Sequence, residues 1–178
     1  NTDYLDLFLM HRPSPLMQPD EMAEAGQHLL QSGKIKQFGV SNFTTSQVAM
    51  LENAIPVEGN QVEFSLTHHD PMYDGTFDDC ILNKRMAMAW SPLGSFFRET
   101  DEQVERIKEA MPPLMEKYNA TESQLLLAWI LKHPANVHPV IGTTNKKRIE
   151  QSAAAVKIEL ELQDWFTLLV ASQGHDVP

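Results

Sequence analysis

The chain has 178 residues, of which 42% are hydrophobic, and this is the composition of a folded domain rather than of a disordered segment. Its formal net charge of −10 argues against a protein that binds the nucleic-acid backbone. No apolar run approaches the roughly 20 residues that cross a bilayer, so we expect no membrane partner. Cys80 is the single cysteine, which excludes an intramolecular disulfide and favours a cytoplasmic location. We expect residues 1–178 to form one domain.

Apolar strands and amphipathic helices alternate along the chain. The predicted strands lie at residues 4–10, 34–43, 60–64, 86–90 and 138–141. The predicted helices lie at residues 20–32, 76–83, 101–118, 145–156 and 162–172, and two more begin at Thr44 or Thr45 and at Thr121. This alternation favours a parallel sheet with right-handed crossovers. Because a closed barrel of this kind needs eight strands and about 250 residues, we expect an α/β fold that is a partial (β/α)8 TIM barrel.

Several side chains predict how individual helices begin, end and face the core. Asp20 is expected to cap the first helix, and Gly33 to end it in a left-handed conformation. Pro112 and Pro113 are expected to kink or break the long helix that contains them. The apolar residues predicted to share one face of the first helix are Met22, Ala25, Leu29 and Leu30. On the second helix, Val48, Met50 and Leu51 are predicted to point partly inward.

Polar or aromatic side chains recur where the predicted strands end. Each cluster alone has an ordinary explanation, such as a helix cap at Ser41 and Asn42 or a solvated helix face at residues 146–148. In a parallel barrel, however, the carboxyl ends of the strands meet at one rim. The residues concerned are His11, Ser41, Asn42, Asn60, Gln61, Trp90, Thr143, Thr144 and Arg148.

These residue types suit a flat ring that carries an amide, together with a phosphate group. Asn and Gln side chains both donate and accept hydrogen bonds, as a carboxamide requires, and an aromatic face can stack on the ring. Thr143 and Thr144 precede a helix N-terminus, which binds anions, and Arg148 can add a bidentate phosphate contact. The sequence therefore predicts a site for a dinucleotide with an additional phosphate.

Other kinds of site are less well supported. His68, His69 and Asp70 are metal-ligand types, but adjacent histidines on an extended segment point apart and no further ligand cluster is evident, so we expect no metal. The glycine-rich signatures of Rossmann and P-loop domains are lacking. A barrel enzyme that binds a sugar phosphate through its last loop stays open as an alternative.

Five motifs, in chain order, resemble the aldo-keto reductase superfamily in its bacterial oxidoreductase branch. They lie at residues 6–13, 39–43, 60–63, 90–94 and 140–144, the last followed by Arg148 and Gln151. The Gly-Val-Ser-Asn-Phe motif at 39–43 is the most specific of them. The resemblance implies strands four to eight of the barrel with their helices, and hence the C-terminal portion of such a reductase.

The resemblance also implies roles for individual residues. His11 would donate a hydrogen bond to the substrate carbonyl, and Trp90 would stack on the nicotinamide ring. Ser41, Asn42 and Gln61 would hold the nicotinamide carboxamide.

The remaining implied contacts are to the phosphates and adenosine of NADPH. Residues expected there, from the pyrophosphate to the adenine, are Ser91, Leu93, Gly94, Thr143, Thr144, Arg148 and Gln151. Gly142 stands where many members of the family carry a lysine, so the resemblance implies a weaker preference for NADPH over NADH.

The activity implied is reduction of an aldehyde or ketone by hydride transfer from NADPH, while a tyrosine protonates the oxygen. Tyr4, Tyr73 and Tyr118 do not match the family's tyrosine motif, and no lysine or aspartate matches its supporting pair. A non-catalytic module or scaffold that binds a nicotinamide cofactor is the alternative. The expected partners are a small carbonyl compound and either the N-terminal half of the barrel or a second copy paired along an open sheet edge.

Overall fold

The computed structural model describes residues 2–177, in which strands and helices alternate as predicted. The strands are β1 Leu5–Met10, β2 Ile35–Ser41, β3 Gly59–Glu63, β4 Met86–Trp90 and β5 His138–Pro139. The α-helices are α1 Pro19–Gln31, α2 Thr45–Glu52, α3 Thr76–Asn83, α4 Glu102–Tyr118, α5 Glu122–Leu131, α6 Lys146–Ala154 and α7 Leu162–Gln173. Short 3₁₀ helices lie at Asp70–Met72 and Ala155–Lys157. Within residues 2–177, no helix has the length and apolar character needed to cross a membrane.

The strands form a parallel sheet in the order β1-β2-β3-β4-β5. Pairing of β1 with β2 sets Leu5 opposite Ile35 and Met10 opposite Val40. Pairing of β2 with β3 sets Ser41 opposite Gln61. The predicted α/β fold with a parallel sheet is confirmed, whereas the assignment of these strands as the fourth to eighth of a barrel stays a prediction.

The chain divides into two compact units. The first unit comprises the chain up to Val62 together with Pro71–Met88. The second comprises Glu63–Asp70 and the chain from Ala89 onward. The prediction of one domain over residues 1–178 stays a prediction.

The core of the first unit forms where α1 and α2 pack on β2. Phe38 and Val40 of β2 are buried together with Val48 and Leu51 of α2. Gly26 allows the close approach of α1, because a Cβ atom at this position would lie 2.5 Å from the Cδ1 atom of Ile55. From Phe38 to Ser41, β2 is buried on both faces, whereas Lys36 and Gln37 near its start are exposed.

The start of α1 differs from the prediction. Gln18 occupies the N-cap without a side-chain hydrogen bond, and Pro19 is the first helical residue. Asp20 therefore lies inside the first turn. Its negative charge interacts favourably with the helix dipole there, but its side chain is not the N-cap. The inward face also differs, since Ala25 is exposed whereas Ala23 and Gly26 are buried.

The end of α1 agrees with the prediction. Gly33 has φ +69°, and its N–H donates to the carbonyl oxygen of Leu30 at 3.1 Å. The N–H of Lys34 donates to the carbonyl oxygen of Leu29, also at 3.1 Å. These two bonds form a Schellman motif, which ends the helix directly before β2.

The expected burial of Met50, the expected break in the long helix and the expected end of the last strand are corrected. Met50 is exposed on α2, outside the face formed by Val48 and Leu51. Helix α4 continues without a break through Pro112 and Pro113, which lie on its exposed side between buried Met111 and Leu114.

The last strand is also shorter than predicted. β5 ends at Pro139, and the exposed residues Val140 and Ile141 follow it, although the N–H of Val140 still donates to the carbonyl oxygen of Ala89 at 2.8 Å.

In the second unit, an indole pair joins α5 to α7. The rings of Trp129 and Trp165 stack with an interplanar angle of 3° and a centroid distance of 4.9 Å. Each Nε1–H donates to the other residue's carbonyl oxygen, at 3.2 Å and 2.9 Å. Stacking and hydrogen bonds together fix the relative position of these two helices.

A buried arginine holds together the segments that flank β3 and β4 in the first unit. The Arg85 side chain is 2% exposed and binds Glu52 of α2, Asp79 of α3 at 2.8 Å and the carbonyl oxygen of Val57 at 2.5 Å. The hydrogen bond from Arg85 lowers the pKa of Glu52 below its ordinary value of 4.5. Loss of the guanidinium would remove the donor of Glu52 and of the buried Val57 carbonyl, and would leave Asp79 with the donor from Asn83.

We expect Arg85→Met to lower the free energy of unfolding by about 2 kcal/mol, less than for a fully buried pair because Glu52 is 39% exposed. Urea denaturation measures this change. Lys108→Met, which removes the exposed partner of Glu105, is the matched control and should leave the midpoint unchanged. Equal effects of the two substitutions would contradict this account of Arg85.

The effect of Arg85→Met should also depend on pH. Because the folded-state pKa of Glu52 is depressed, the stabilisation is complete above the unfolded pKa and disappears as the pH falls through the folded pKa. The difference between the original protein and the variant should therefore shrink below pH 4.5. Urea titrations at several acidic pH values check this, and a difference that stays constant would contradict it.

Candidate functional site

Three predicted site residues of the first unit form one hydrogen-bonded cluster. The Ser41 hydroxyl donates to the carbonyl oxygen of Gln61 at 2.8 Å, and the Asn42 N–H donates to the same oxygen at 2.9 Å. The Asn42 Nδ2 atom donates to the Ser41 hydroxyl at 3.1 Å. The parallel register of β2 and β3 therefore brings Ser41 and Asn42, at the end of β2, next to Gln61. Gln61 lies in the middle of β3 rather than at a strand end, which corrects the sequence-based placement.

Asn42 turns the chain away from β2. Its φ is +60°, in the left-handed region that asparagine tolerates better than most residues. Two residues later, Thr44 begins α2 with a capping box in which its side chain accepts the Gln47 N–H. The side chain of Asn42 is therefore held by a turn between two well-defined elements.

Asn60, which precedes Gln61, has a structural position. Its side chain is buried, and its Nδ2 atom donates to the carbonyl oxygen of Phe43 at 2.8 Å. Its Oδ1 atom is buried, and the part of the chain that the structure describes supplies it no hydrogen-bond partner. Asn60 thus fastens the loop after β2 to β3.

His11 follows β1 directly and is exposed. Because β1 and β2 are parallel and Met10 lies opposite Val40, His11 leaves the sheet at the same edge as Ser41 and Asn42. An exposed imidazole at this edge can donate to or accept from a bound molecule.

In the second unit, four predicted site residues lie at the end of β4 and in the turn that follows it. Trp90 ends the strand and is partly buried. Ser91 and Gly94 have φ values of +48° and +54°, and the Gly94 N–H donates to the Ser91 carbonyl oxygen at 2.8 Å. A serine in the left-handed region is strained, and such strain is concentrated at functional sites.

The predicted phosphate loop of the second unit precedes α6. Asn145 is the N-cap, and its side chain accepts the Arg148 N–H at 3.2 Å. The Thr143 hydroxyl accepts the Asn145 N–H, also at 3.2 Å. Two side chains of the loop thus already satisfy backbone N–H groups near this helix start, which reduces its capacity to bind an anion through the backbone alone.

The remaining predicted residues surround this helix start. Thr144 and Arg148 are exposed, and Gln151 is partly buried on α6, where its carbonyl oxygen accepts from Gln124 of α5 at 3.2 Å. Gly142 is exposed, and a Cβ atom built on it meets no atom within 4 Å. A Cβ atom can therefore be added at position 142 without a steric clash.

The titratable groups outside these clusters bear on two other kinds of site, a metal site and a reactive thiol. Within residues 2–177, no group of three or more His, Cys, Asp or Glu side chains is placed to hold a metal ion. Burial lowers the pKa of His69 and raises that of the buried Cys80 thiol to about 11. Cys80 is therefore a poor nucleophile in the folded protein.

A sequence model of the aldo/keto reductase family matches residues 1–168 of the chain. The chain belongs to this family. Oxidoreductase YdhF of Escherichia coli is 39% identical over 180 residues, which cover 99% of the chain and 60% of that protein. A 6-dehydroglucose reductase of Agrobacterium fabrum is 34% identical over 180 residues, with the same coverage of 99% and 60%.

A solved aldo/keto reductase from Klebsiella pneumoniae, in complex with NADP and acetate, superimposes with a TM-score of 0.83 and 29% identity. The match covers 94% of the chain and 58% of that structure. The chain thus spans about three fifths of the length of the proteins that it resembles. Family membership confirms the resemblance predicted from the five motifs, while the role of each residue stays a prediction.

Sequence reasoning on this aldo/keto reductase chain missed two residues that shape the predicted sites. Asn145 caps α6. An asparagine one residue before a predicted helix is a sufficient signal for an N-cap. Thr67 contacts the turn after β4 through its hydroxyl, and no sequence pattern announces this contact because 28 residues separate the two partners.

The backbone conformation of Asn42 can be tested separately from its side chain. Asn42→Ala should lower the free energy of unfolding by about 1 kcal/mol relative to Asn42→Gly, since only glycine adopts φ +60° without strain. Thermal denaturation of both variants measures the difference.

Both variants remove the carboxamide, so any defect that they share reports the side chain alone. An Asn42→Ala protein as stable as Asn42→Gly would contradict the strained conformation.

Proposed function

We propose that this chain belongs to an NADPH-dependent oxidoreductase that reduces aldehyde or ketone carbonyls by hydride transfer. In this proposal its five strands are strands four to eight of a (β/α)8 barrel. The hydrogen-bonded cluster of Ser41, Asn42 and Gln61 carries the proposal, because it places two amide-bearing residues side by side on adjacent strands. The NADP held by the Klebsiella pneumoniae structure and the name of the 6-dehydroglucose reductase support it.

The residues of the cluster fit a nicotinamide carboxamide. Ser41 is only 4% exposed, and its hydroxyl already donates to Gln61 and accepts from Asn42. We therefore assign Ser41 mainly to the orientation of Asn42. The partly buried side chains of Asn42 and Gln61 would make the contacts to the carboxamide, with donors and acceptors that match it.

The second unit carries the groups proposed for the rest of the cofactor. Trp90 would stack on the nicotinamide ring, and the turn at Ser91, Leu93 and Gly94 would border the pyrophosphate. Arg148, with Thr143, Thr144 and Gln151, would bind the 2′-phosphate and adenosine. Residues 146–148 are three successive exposed cations, which supports a preference for the additional phosphate of NADPH.

When bound, NADPH supplies the hydride that reduces the carbonyl carbon. His11, exposed at the end of β1, would donate a hydrogen bond to the carbonyl oxygen and orient the substrate. Tyr118 is unsuited to proton donation, because its hydroxyl donates to Asp164 and accepts the Glu161 N–H at 2.9 Å. Burial, followed by the hydrogen bond to Asp164, raises its pKa. We assign the proton-donor role to none of the three tyrosines of the chain.

The test is cofactor binding followed by turnover, measured on the full-length protein. Tryptophan fluorescence reports NADPH binding, and loss of NADPH absorbance with a panel of aldehydes, including sugar aldehydes, reports reduction. Binding with turnover supports the proposal. Binding without turnover favours the alternative of a cofactor-binding module, and sugar-phosphate affinity without nicotinamide affinity favours the other barrel enzyme.

His11→Gln should lower kcat by about a hundredfold while NADPH affinity stays unchanged, since the imidazole is assigned to the carbonyl oxygen rather than to the cofactor. Steady-state kinetics and fluorescence titration measure the two quantities. His28→Gln, on the exposed side of α1, is the matched control. A His11 variant with unchanged kcat would contradict the assigned role.

Gly142→Lys should strengthen NADPH binding about three- to tenfold and leave NADH binding unchanged. The added side chain meets no atom near its Cβ, and its charge would act on the 2′-phosphate. The gain should decrease as salt is added. Fluorescence titrations with both cofactors measure it.

Gly142→Gln controls for the loss of glycine without adding charge. An equal gain for NADH, or the same gain from glutamine, would contradict a phosphate near position 142.

A further inference from the structure

Thr67 occupies a fixed position in the second unit. It lies in a tight turn after β3 in which Ser65 and His68 exchange backbone hydrogen bonds of 2.9 Å and 3.1 Å. The neighbouring carbonyl oxygen of Leu66 accepts from the Ser172 hydroxyl of α7 at 2.5 Å. Both flanks of Thr67 are thus held by buried or paired groups.

From this position Thr67 contacts the turn that follows β4. Its Oγ1 atom accepts the Ser95 N–H at 3.0 Å and lies 3.3 Å from the Ser65 hydroxyl. A Cβ atom on Gly94 would lie 2.0 Å from Thr67 Oγ1 and 2.5 Å from Ser65 Oγ. The turn therefore packs directly on these hydroxyls, at a distance that only glycine permits.

The turn needs such support. Ser91 and Gly94 both have positive φ, and for serine this conformation is unfavourable unless the surroundings impose it. The Gly94 carbonyl oxygen accepts from Arg98 at 2.9 Å, a contact within the same segment. The Thr67 hydroxyl, in contrast, lies 28 residues away in the chain, and its hydrogen bond joins the turn to the loop that follows β3.

We propose that Thr67 is a positioning residue for the cofactor's pyrophosphate: its hydroxyl holds the turn at residues 91–95 in the conformation that binds. The inference rests on the proposed function, since it takes this turn as the pyrophosphate contact. Threonine suits the task because its β-branched side chain restricts χ1 and keeps the hydroxyl in place.

The first test needs no cofactor. In Thr67→Val, which preserves the shape but removes the acceptor, the Ser95 amide should exchange with deuterium about tenfold faster than in the original protein. Thr67→Ser retains the acceptor and should exchange nearly as slowly. Thr167→Val, which removes an exposed hydroxyl bound to Gln163, is the matched control and should change nothing at Ser95. Unchanged Ser95 exchange in Thr67→Val overturns the proposal.

The second test separates the pyrophosphate from the rest of the cofactor. Thr67→Val should weaken NADPH binding about five- to tenfold and leave the affinity for adenosine 2′-monophosphate, which has no pyrophosphate, unchanged. Thr67→Ser should restore NADPH binding. Equal loss for both ligands would indicate general damage to the unit and overturn the proposal.

Gly94→Ala perturbs the same contact from the other residue and replaces the Thr67→Val test if that variant does not fold. Its methyl group would displace the turn from Thr67, so the same selective loss of NADPH affinity is expected. Unchanged NADPH affinity in Gly94→Ala overturns the inference. If the unsubstituted protein binds no NADPH, the proposed function fails, whereas faster Ser95 exchange still identifies Thr67 as the support of this turn.

Discussion

The parallel register between β2 and β3 is the constraint on which the candidate site of the first unit depends. It sets Val40 opposite Asn60 and Ser41 opposite Gln61. A slip of one residue would turn each side chain of the strand to the other face of the sheet and separate the Ser41 hydroxyl from the Gln61 carbonyl. Burial of Phe38 and Val40 against α1 and α2 prevents such a slip, so the core determines where the polar cluster forms.

Local signals in the sequence predicted most of the fold. Thr44 and Thr121 begin their helices with capping boxes, and Gly33 ends α1, because each of these interactions involves residues only a few positions apart. The errors arose where another residue competed or where tertiary packing decided. Pro19 displaced the predicted cap at Asp20, and the close contact at Gly26 turned the buried face of α1 away from Ala25.

For the candidate site, the sequence predicted which residues belong to it better than it predicted the contacts that they make. Polar residues in the strand motifs identified the cluster at Ser41, Asn42 and Gln61, although Gln61 lies in the middle of β3 rather than at its end. The motif order identified the family, which the comparison confirms. The sequence did not predict that the hydroxyl of Ser41 is used within the protein, or that Thr67 packs on Gly94. Such contacts join residues that are distant in the chain, and they depend on ångström-scale distances that periodicity does not encode.

The burial of the Cys80 thiol determines how readily this residue is oxidised. With its pKa raised to about 11 and its sulfur enclosed in the first unit, it offers oxidants almost no thiolate. Sulfenylation and crosslinking between molecules through this residue would require α3 to open first. The rate at which an alkylating reagent modifies Cys80 would therefore report how often that helix opens.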